Sequence, residues 1–361
     1  MIRRIAAQRF RNLAPVSLEL PAGPLLVTGP TGAGKSSLLE ALYVVATTRS
    51  FRTPRLEDCV ASGLPAEQRS FLVRAEVETH RRSTLGVAWS AVEGLQRSLD
   101  GERGSIGEHL ERQPVLAFSW EEEDTWVGAP VLRRRFVDRG LVAERPSALA
   151  ALARYRQVLA HKRSLLARGG CRAADLEPWN LLLAEAGAAV IAQRSGYLER
   201  LGRALDDAVR RSGLELPGVA LRYRPSPAEG VAGADALAAS LGRLAAAEVE
   251  SRRPVAGPHR DAIELRFRAR PIAQVASSGE RKALSLLGVA AQIALLEAVG
   301  RQALVLIDDA DTELDRATLR GVWRVLEGAP QTLLSSNRPE VWDELGDMPR
   351  LHLSGGRIGP A

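Results

Sequence analysis

The stretch with the clearest chemistry is GPTGAGKS, which runs from Gly29 to Ser36. It fits the pattern G-x-x-x-x-G-K-[ST], with an apolar run before it and a helical pattern after it. Glycines allow backbone N–H groups to converge on a phosphate, and the start of a helix adds its positive dipole end. This context disfavours a glycine-rich turn with a chance lysine and predicts that the loop binds a nucleoside triphosphate.

The residues of this loop have separate expected tasks. In a loop of this kind the lysine reaches the β- and γ-phosphates, and the hydroxyl that follows it ligates Mg²⁺. We therefore expect Lys35 to be catalytic and Ser36 to be a metal ligand. The residues predicted to bind the nucleotide are Gly29, Pro30, Thr31, Gly32, Ala33, Gly34, Lys35, Ser36 and Ser37.

A second candidate is the acidic end of an apolar run, ALVLIDDADTELD, at residues 303–315. A carboxylate at the tip of such a strand holds Mg²⁺ in P-loop enzymes, and Asp308 suits that role. Asp309 would orient or deprotonate the attacking water, which requires only hydrogen-bond reach. An acidic loop after a strand is the alternative reading, and the upstream phosphate loop disfavours it.

The segment ASSGERKALSLL, residues 276–287, has two readings. Ser277 could cap a helix, and Glu280 could complete a capping box. In ABC-type ATPases a Ser–x–Gly helix start from one subunit instead caps the γ-phosphate bound by the other, through its free N–H groups. The order of phosphate loop, Ser–Gly helix start and acidic strand favours the second reading. The signature residues would then be Ser277, Ser278, Gly279 and Glu280.

The surrounding patterns predict the elements that must position these residues. Helical spacing dominates from about Pro130 to Arg211, and Asp100–Gly101 is placed for a tight hairpin turn. We predict an α/β fold, namely an ABC-type P-loop ATPase head with a β-rich N-terminal part and an inserted helical lobe. Beyond the strands that surround the phosphate loop, strands are expected at 71–79, 84–92, 95–103, 114–120 and near 218–224.

This change of character along the chain suggests three parts. Residues 1–125 would form the N-terminal part of the first lobe, with the phosphate loop. Residues 126–252 would form the mainly helical second lobe, and residues 253–361 would complete the ATPase core with the signature and the acidic strand. The stretch EEEDTW, at 121–126, could link the nucleotide to the helical lobe or form a solvated acidic loop.

Composition narrows the class of protein. The 361 residues carry a formal charge of +6, which suggests a polyanionic partner such as nucleic acid, although arginine-rich composition can also be a genomic bias. Two cysteines, Cys59 and Cys171, supply no disulfide or metal framework. The sequence has no apolar run of membrane-spanning length, and its N-terminus lacks a signal-peptide core. We therefore expect a cytoplasmic protein without membrane contact.

Five stretches together resemble one family. They are FRNL near the start, GPTGAGKSSLLEALY, GAPVLRRRFVDR at 128–139, GPHRD at 257–261, and SSGERKALSL taken with DDADTELD. On these motifs the chain resembles the RecF family of bacterial DNA replication and repair proteins, which are SMC-like ABC ATPases. The GPHRD motif is particularly specific, because generic ABC and SMC proteins lack it.

The resemblance implies a homodimer that forms with ATP and Mg²⁺, binds DNA at gapped duplexes or single-strand/double-strand junctions, and hydrolyses ATP weakly in a DNA-dependent manner. It also implies work with RecR, a functional link to RecO, and help in loading RecA. On matching positions it places Arg11 and Asn12 near the nucleotide. It places Glu313 and Asp315 in the loop that crosses the dimer interface, called the D-loop.

The chain also departs from patterns of related proteins. Thr31 replaces the asparagine usual in this family's phosphate loop, and Ser278-Gly279-Glu280 replaces the usual Ser/Gln-rich sequence of the signature. Ser335 and Ser336 stand where other ABC ATPases carry a histidine that senses the γ-phosphate, which suggests slow hydrolysis.

Other readings stay open at this point. One alternative is a small-molecule P-loop kinase, which would not need the Ser–Gly helix start. Another is an ABC or SMC-like ATPase of a different kind, with an unknown substrate, which would need it. Arg133, Arg134 and Arg135 could contact DNA phosphates or form a solvated helix face, and one of them could pair inside the fold. For His259 and Arg260 of the GPHRD motif we expect a structural or nucleotide-adjacent role.

Overall fold

The computed structural model describes residues 1–79, 81–119, 125–228 and 233–359, where the chain forms two compact units. The first unit consists of Met1–Asp124, Ala204–Leu216 and Ala276–Ala361, and the second of Thr125–Arg203 and Pro217–Val275. The three-part division expected from the sequence concerns functional lobes and stays a prediction. Residues 121–124 of the acidic stretch lie outside the described residues.

The strands and helices follow most of the expected pattern. In chain order the strands are β1 (Ile2–Gln8), β2 (Val16–Glu19), β3 (Gly23–Thr28), β4 (Ser70–Glu78), β5 (Arg82–Ser90), β6 (Gly94–Leu99), β7 (Glu102–Arg103), β8 (Val115–Phe118), β9 (Ala220–Arg224), β10 (Ala262–Phe267), β11 (Arg270–Pro271), β12 (Leu304–Ile307), β13 (Gln331–Ser335), β14 (Arg350–Ser354) and β15 (Arg357–Gly359). The described α-helices are α1 (Lys35–Thr47), α2 (Ile106–Arg112), α3 (Pro130–Glu144), α4 (Ala148–Arg168), α5 (Glu177–Ser212), α6 (Ala234–Ser251), α7 (Ile272–Val275), α8 (Ser278–Ala298) and α9 (Arg316–Leu326).

One layer of the first unit is a six-stranded antiparallel sheet in the order β2-β1-β4-β5-β6-β7. Alternate residues of β4 are buried, as expected for strands with one face on the core. At the β6–β7 turn Asp100 and Gly101 have φ of 54° and 92°, which a two-residue hairpin turn with positive φ at both positions requires. The predicted tight turn is therefore confirmed.

The second sheet of this unit has the order β15-β14-β3-β13-β12-β8, and all neighbours except β14 and β15 are parallel. The strand expected at 114–120 is confirmed by β8. It pairs in parallel with β12, the strand that ends at the acidic residues. Its short, nearly continuous apolar run suits a sheet that is covered on both faces.

The register of this parallel sheet brings three strand ends together. Val27 of β3 lies opposite Ser335 of β13, and Leu334 lies opposite Ile307 of β12. Because parallel strands end at the same edge, the residues that follow β3, β13 and β12 must meet there. These are the phosphate loop, the segment after Ser335, and the acidic pair.

The helix that follows the phosphate loop is buried nearly all round. Every residue of α1 except Ser36 is buried, and its apolar side chains share one core cluster with residues of both sheets, such as Val73 and Leu306. A helix enclosed on all sides has little freedom to shift without disturbing the core. The position of Lys35, its first residue, is thereby fixed.

The first unit also contains a packed pair of tryptophans. Trp323 of α9 packs edge-to-face against Trp342 of the 3₁₀ turn Pro339–Leu345, with ring centroids 5.5 Å apart. This geometry is favourable for aromatic pairs. The pair joins the helix that follows the acidic loop to the turn that follows β13.

The second unit carries helices and a three-stranded sheet in the order β11-β10-β9. Its helices include α3, α4, α6 and most of α5, so the predicted helical insert is confirmed. Within the described residues, no helix is both long and apolar enough to cross a membrane.

The GPHRD motif organises a buried polar cluster in the second unit. Asp261 is fully buried and accepts hydrogen bonds from Arg194 at 2.8 Å and from the Tyr223 hydroxyl at 2.5 Å. The hydroxyl of Tyr155 lies 2.7 Å from Nδ1 of His259. Because the buried carboxylate of Asp261 is paired with Arg194 and Tyr223 inside the unit, the cluster supports the structural reading of the motif.

Two of the three arginines considered for DNA are turned inward. Arg133 donates to the backbone carbonyls of Trp126 and Gly128, and Arg134 donates to the carbonyl of Asp261. Burial lowers the pKa of both guanidinium groups. Arg135 is exposed.

Candidate nucleotide-binding site

The phosphate loop has the backbone that its glycines predict. Gly34 immediately precedes α1 with φ of 106°, and Gly29 has φ of 139°. A Cβ atom on Gly29 would lie 2.1 Å from the carbonyl oxygen of Leu353, so the loop packs directly against β14. Both positions require glycine, because other residues rarely adopt these angles and the space at Gly29 is closed.

Asn12 lies against this loop. Its Nδ2 atom donates to the carbonyl of Gly32 at 2.7 Å, and its Oδ1 atom accepts from the Ser37 hydroxyl at 2.7 Å. The side chain therefore spans the loop from its middle to the first turn of α1. The family resemblance places Asn12 near the nucleotide, and the geometry gives it a bracing role there.

Arg11 has a different set of partners. Its guanidinium donates to both carboxylate oxygens of Glu40, at 2.9 and 2.7 Å, and to the carbonyl of Asp58 at 2.5 Å. Glu40 is fully buried in α1 and also accepts from the Ser50 hydroxyl. A two-point arginine–carboxylate pair of this kind fixes the guanidinium firmly. A direct contact between Arg11 and the nucleotide remains a prediction.

The ammonium of Lys35 is held by three oxygen atoms. It donates to the carbonyls of Gly29 and Pro30, at 2.8 and 3.2 Å, and to Oδ1 of Asn337 at 2.5 Å. Lys35 is 6% exposed, and three acceptors match the three protons of an ammonium group. The sequence did not single out Asn337, which lies 302 residues away along the chain.

Ser36 and Asp308, the two predicted Mg²⁺ ligands, are in contact. The Ser36 hydroxyl donates to Oδ1 of Asp308 at 2.9 Å, and the same oxygen accepts from the Ser335 hydroxyl at 2.5 Å. Among the described residues, no group of three or more His, Cys, Asp or Glu side chains could hold a metal ion. One carboxylate and one hydroxyl fit Mg²⁺ in particular, because this ion keeps several waters and takes its other ligands from substrate phosphates.

Asp309 is held in an unusual conformation beside this pair. Its φ is 48°, a left-handed value that is uncommon outside glycine. Its N–H donates to the Ser335 hydroxyl at 2.9 Å, and its carbonyl accepts from Nζ of Lys282 at 3.0 Å. Burial raises the pKa of its carboxyl above the ordinary value, and the neighbouring Asp308 adds to this shift. These properties suit a general base.

Lys282 was not among the residues that the sequence singled out. It comes from the first turns of α8 and is 2% exposed. Its ammonium also lies 5.9 Å from the ring centroid of Phe118, at the end of β8. A buried lysine thus connects the helix of the signature segment to the backbone of Asp309.

The signature segment forms the capping box that the sequence allowed. The Ser277 hydroxyl accepts from the N–H of Glu280 at 3.2 Å, and the Ser277 N–H donates to the Glu280 carboxylate at 2.8 Å. Ser277 and Ser278 are both exposed. A Cβ atom on Gly279 would lie 3.2 Å from the carbonyl oxygen of Glu313, so glycine allows close approach of this loop. The cap and an anion-binding role are compatible, because the helix start stays open to solvent.

The two residues assigned to the D-loop differ in what they do. Glu313 is exposed, with φ of 62°. Asp315 caps α9, since its side chain accepts from the N–H of Thr318 at 2.7 Å, and this bond lowers the pKa of Asp315. Asp315 therefore has a clear structural task, and its place at a dimer interface stays a prediction.

The two serines expected at the γ-phosphate-sensing position face the acidic loop. Ser335 bonds Asp308 and Asp309, as described above, and the Ser336 hydroxyl donates to Asp311 at 3.0 Å. Asp311 is nearly fully buried and also pairs with Arg338 at 3.3 Å. The residue of this segment that faces the phosphate loop is Asn337.

Comparisons with known proteins identify the family and the fold of this chain. A family model described as "RecF/RecN/SMC N terminal domain" matches residues 1–349. The DNA replication and repair protein RecF of Thermomicrobium roseum is 30% identical over 397 residues, which cover 100% of each chain. The chain belongs to the RecF family. The RecF protein of Thioalkalivibrio sulfidiphilus is 32% identical over 340 residues, covering 91% of this chain and 89% of that protein.

Solved structures show the fold of this RecF-family chain. The structure described as the recombination mediator protein RecF-ATPrS in the RecFOR pathway matches with a TM-score of 0.85 and 22% identity, covering 99% of this chain and 97% of that one. An SMC head bound to the C-winged helix domain of ScpA matches with a TM-score of 0.58 and 15% identity, covering 99% and 95%. The predicted ABC-type ATPase head is therefore confirmed, and family membership favours a RecF-type ATPase over a small-molecule kinase.

Proposed function

We propose that this RecF-family chain is an ATP-dependent DNA-binding protein of recombinational repair. Binding of ATP and Mg²⁺ joins two copies head to head on DNA, and slow hydrolysis separates them. The observation that carries this proposal is that one unit brings together Lys35, Ser36 and Asp308 at one edge of its parallel sheet. The same unit begins α8 with the exposed Ser277 and Ser278, followed by Gly279.

The dimer follows from the chemistry of that helix start. The N–H groups of the first turn of a helix attract an anion, and this attraction grows with the anion's charge. The γ-phosphate held by the phosphate loop of one copy presents such an anion to Ser278 and Gly279 of a second copy. ADP lacks this phosphate, so hydrolysis removes the contact and releases the partner.

Within each site the residues have distinct tasks. Lys35 leaves its three oxygen partners to bind the β- and γ-phosphates. Ser36 and Asp308 would hold Mg²⁺, which supplies charge neutralisation to the phosphates when it is bound. Asp309 accepts a proton from the attacking water, for which its raised pKa prepares it.

Hydrolysis is expected to be slow and DNA-dependent. Ser335 and Ser336, which occupy the place of the γ-phosphate-sensing histidine of other ABC ATPases, are both committed to the acidic loop. Weak turnover prolongs the ATP-bound dimer. This is useful where the dimer, rather than the product, performs the function.

A basic surface in the second unit is suited to the phosphates of DNA. By the register of β9 and β10, one face of the sheet carries Arg222, Arg224 and Arg266, with Glu264 as the acid among them. The opposite face is apolar and lies on the core. Arg268 and Arg270 at the β10–β11 turn are exposed. We call these five arginines the basic sheet face. Such contacts give salt-sensitive binding without reading base sequence.

The remaining partners come from the family. We propose that the DNA-bound dimer, at gapped or junction DNA, works with RecR, is linked functionally to RecO, and assists loading of RecA in the cytoplasm. The relatives are DNA replication and repair proteins, and the structural relative is described as a mediator in the RecFOR pathway.

Molecular mass measured by light scattering tests the dimer. We expect wild type to become a dimer with ATP and Mg²⁺, Ser278→Arg to stay monomeric, and Asp309→Asn to remain trapped as the dimer. Ser164→Arg places the same side chain at an exposed serine of α4 and is the matched control. A wild-type protein that stays monomeric with bound ATP, with Ser278→Arg indistinguishable from Ser164→Arg, would leave the signature as a plain helix cap.

Binding to a gapped duplex at several salt concentrations tests the DNA role. Replacing Arg222 and Arg270 together with glutamine should reduce the steepness of the salt dependence by about 2, since each lost phosphate contact contributes about 1. Arg210→Gln, which removes an exposed arginine already paired with Asp206 and Asp207, is the control. An equal change of the salt dependence in both variants would show that DNA does not bind the basic sheet face.

A further inference from the structure

Glu40, which was not among the predicted site residues, is a fully buried carboxylate of α1. The guanidinium of Arg11 donates to both of its oxygens, at 2.9 and 2.7 Å, and the Ser50 hydroxyl donates to Oε1 at 2.5 Å. Arg52 forms a second, longer ion pair with Oε2 at 3.5 Å. Because an unpaired buried charge is costly, Glu40 and Arg11 hold each other in place.

Arg11 belongs to a turn with an uncommon backbone. Arg9 and Arg11 have φ of 54° and 52°, left-handed values that residues other than glycine rarely adopt. Such a conformation persists only where the surrounding structure holds it. The N–H of Arg11 donates to the carbonyl of Cys59 at 2.8 Å, and its guanidinium bonds Glu40 and the carbonyl of Asp58. The contact with Glu40 ties this turn to the middle of α1.

The next residue of the turn braces the phosphate loop. Asn12 bonds the carbonyl of Gly32 and the hydroxyl of Ser37, each at 2.7 Å. Because Arg11 and Asn12 are adjacent in the chain, the backbone of Arg11 sets where the Asn12 amide lies. A relaxed Arg11 would carry that amide away from both of its partners.

We propose that Glu40 is a positioning residue of the nucleotide site. Its carboxylate holds Arg11, Arg11 holds the turn, and Asn12 then keeps the phosphate loop in the shape that receives phosphates. Glu40 acts through these two residues and not by contact with the nucleotide, since it is fully buried. The proposal rests on the proposed ATP binding and adds the residue on which the shape of the loop depends.

Two consequences separate this role from general support of the fold. ATP and ADP share the phosphates that the loop receives, so both should lose affinity together, while kcat is kept because Asp309 and Lys282 are not involved. The effect of Glu40 on affinity must also pass through Asn12. Once Asn12 is replaced by alanine, a change at Glu40 has nothing left to act on, so the two losses do not add.

A double-mutant cycle on the full chain tests this route, with fluorescent ATP and ADP analogues titrated in the presence of Mg²⁺. Glu40→Gln keeps the size of the side chain but removes the charge that pairs with Arg11, and Asn12→Ala removes the two hydrogen bonds to the loop. Each change should weaken the binding of both nucleotides about ten-fold, the value of one or two hydrogen bonds. The double variant should show the same loss as either single variant, with kcat changed less than about two-fold.

Arg11→Lys is a second variant, at a half-buried position, and it keeps the positive charge. A lysine cannot reproduce the two-point pair with Glu40, because its ammonium is a single point of charge. It should weaken nucleotide binding in the wild-type background and have no further effect in the Asn12→Ala background. If Glu40→Gln does not fold, this variant decides.

Glu67→Gln, the same substitution at an exposed position, is the matched control and should leave both affinities unchanged. Losses that add when either change is combined with Asn12→Ala, or a loss for ATP alone, would overturn the proposal. Wild-type affinity in both Glu40→Gln and Arg11→Lys would overturn it as well. A wild-type protein that binds neither nucleotide would overturn the proposed function instead.

Discussion

The Nζ atom of Lys282 lies 3.0 Å from the carbonyl oxygen of Asp309, so the helix of the signature segment is bonded to the backbone of the proposed general base. Asp309 has a left-handed backbone, which needs support from both sides. The Ser335 hydroxyl supports its N–H, and Lys282 supports its carbonyl. Contact of another copy with the start of α8 would therefore reach the hydrolytic site through a single buried side chain.

Replacing Lys282 should impair hydrolysis more than nucleotide binding. Lys282→Met keeps the length of the side chain but removes the hydrogen bond to Asp309, so we expect kcat for ATP hydrolysis to fall by about ten-fold or more. The ATP dissociation constant should change less than about three-fold, because the hydrogen bond of Lys282 supports the backbone of Asp309. Steady-state ATPase rates and nucleotide titrations give the two values. Arg281→Met is the matched control, and equal losses of kcat in both variants would contradict a specific role for Lys282.

Removal of Mg²⁺ should weaken ATP binding, because the ion would link the phosphates to the Ser36 hydroxyl and to Oδ1 of Asp308. Chelation of Mg²⁺ should reduce ATP affinity of the wild type, and Ser36→Ala should show a smaller loss on chelation because one ligand is already missing. Titrations with and without EDTA measure the difference. Thr47→Ala, which removes a hydroxyl at the other end of α1, should retain the full effect of chelation. Identical EDTA responses of wild type and Ser36→Ala would exclude Ser36 as a ligand.

A methyl group on Gly356 should displace the phosphate loop, because Gly356 packs against Asn12 and bonds to Ala33 of that loop. Its Cβ atom would lie 2.0 Å from the carbonyl oxygen of Asn12, and its N–H donates to the carbonyl of Ala33. We expect Gly356→Ala to lower the free energy of unfolding by about 2–3 kcal/mol and to weaken ATP binding. Gly355→Ala is a close control, since its φ of 54° is also positive but no atom lies within 4 Å of the new methyl. It should cost only about 1 kcal/mol, measured by urea unfolding. Equal costs at both positions would show that backbone strain dominates over the close contact.

Stability should fall below pH 6.5 partly because of His259. Burial lowers the pKa of His259 to about 4, and the positive charge of Arg163 adds to the shift. Since the unfolded chain binds the proton near pH 6.5 and the folded chain resists it, this group contributes fully above that pH. Its contribution is lost as the pH falls towards 4, by about 3 kcal/mol in total.

The wild type is compared with His259→Asn by urea unfolding at pH 7 and pH 4.5. The variant cannot titrate, so it should lose less stability than the wild type over this interval. His161→Asn removes an exposed histidine and should behave like the wild type. A steeper acid loss in His259→Asn than in wild type would mean that the histidine is protonated in the folded protein.

Much of the nucleotide site could be predicted because its signals are local. The loop from Gly29 to Ser36 directly follows β3, and the pair Asp308–Asp309 directly follows β12. The chemistry of each segment follows from its residue types and from the pattern of the residues around it. The same holds for the Ser277 cap, whose partner Glu280 is three residues away. The fold class followed from these motifs and from the helical spacing of the middle of the chain.

The missed residues depend on the order of strands in the parallel sheet. Asn337 meets Lys35 across 302 residues, and Lys282 meets Asp309 only because α8 packs beside β12 and β8. No periodicity in the sequence encodes such neighbours. The sheet to which β8 belongs could not be predicted for the same reason, since its apolar run suits either sheet. The partner of Arg11 was also beyond local reasoning, because Glu40 reads as one more polar residue of α1.

The edge-to-face pair of Trp323 and Trp342 gives the molecule a built-in optical signal. The two indoles link the helix after the D-loop to the turn after Asn337, and both segments border the phosphate edge. Indole emission depends on the field and the packing around each ring. A rearrangement of either segment on nucleotide binding should therefore change the ultraviolet fluorescence of the unlabelled protein. Stopped-flow recording of that emission could then follow nucleotide binding in time without attaching a dye.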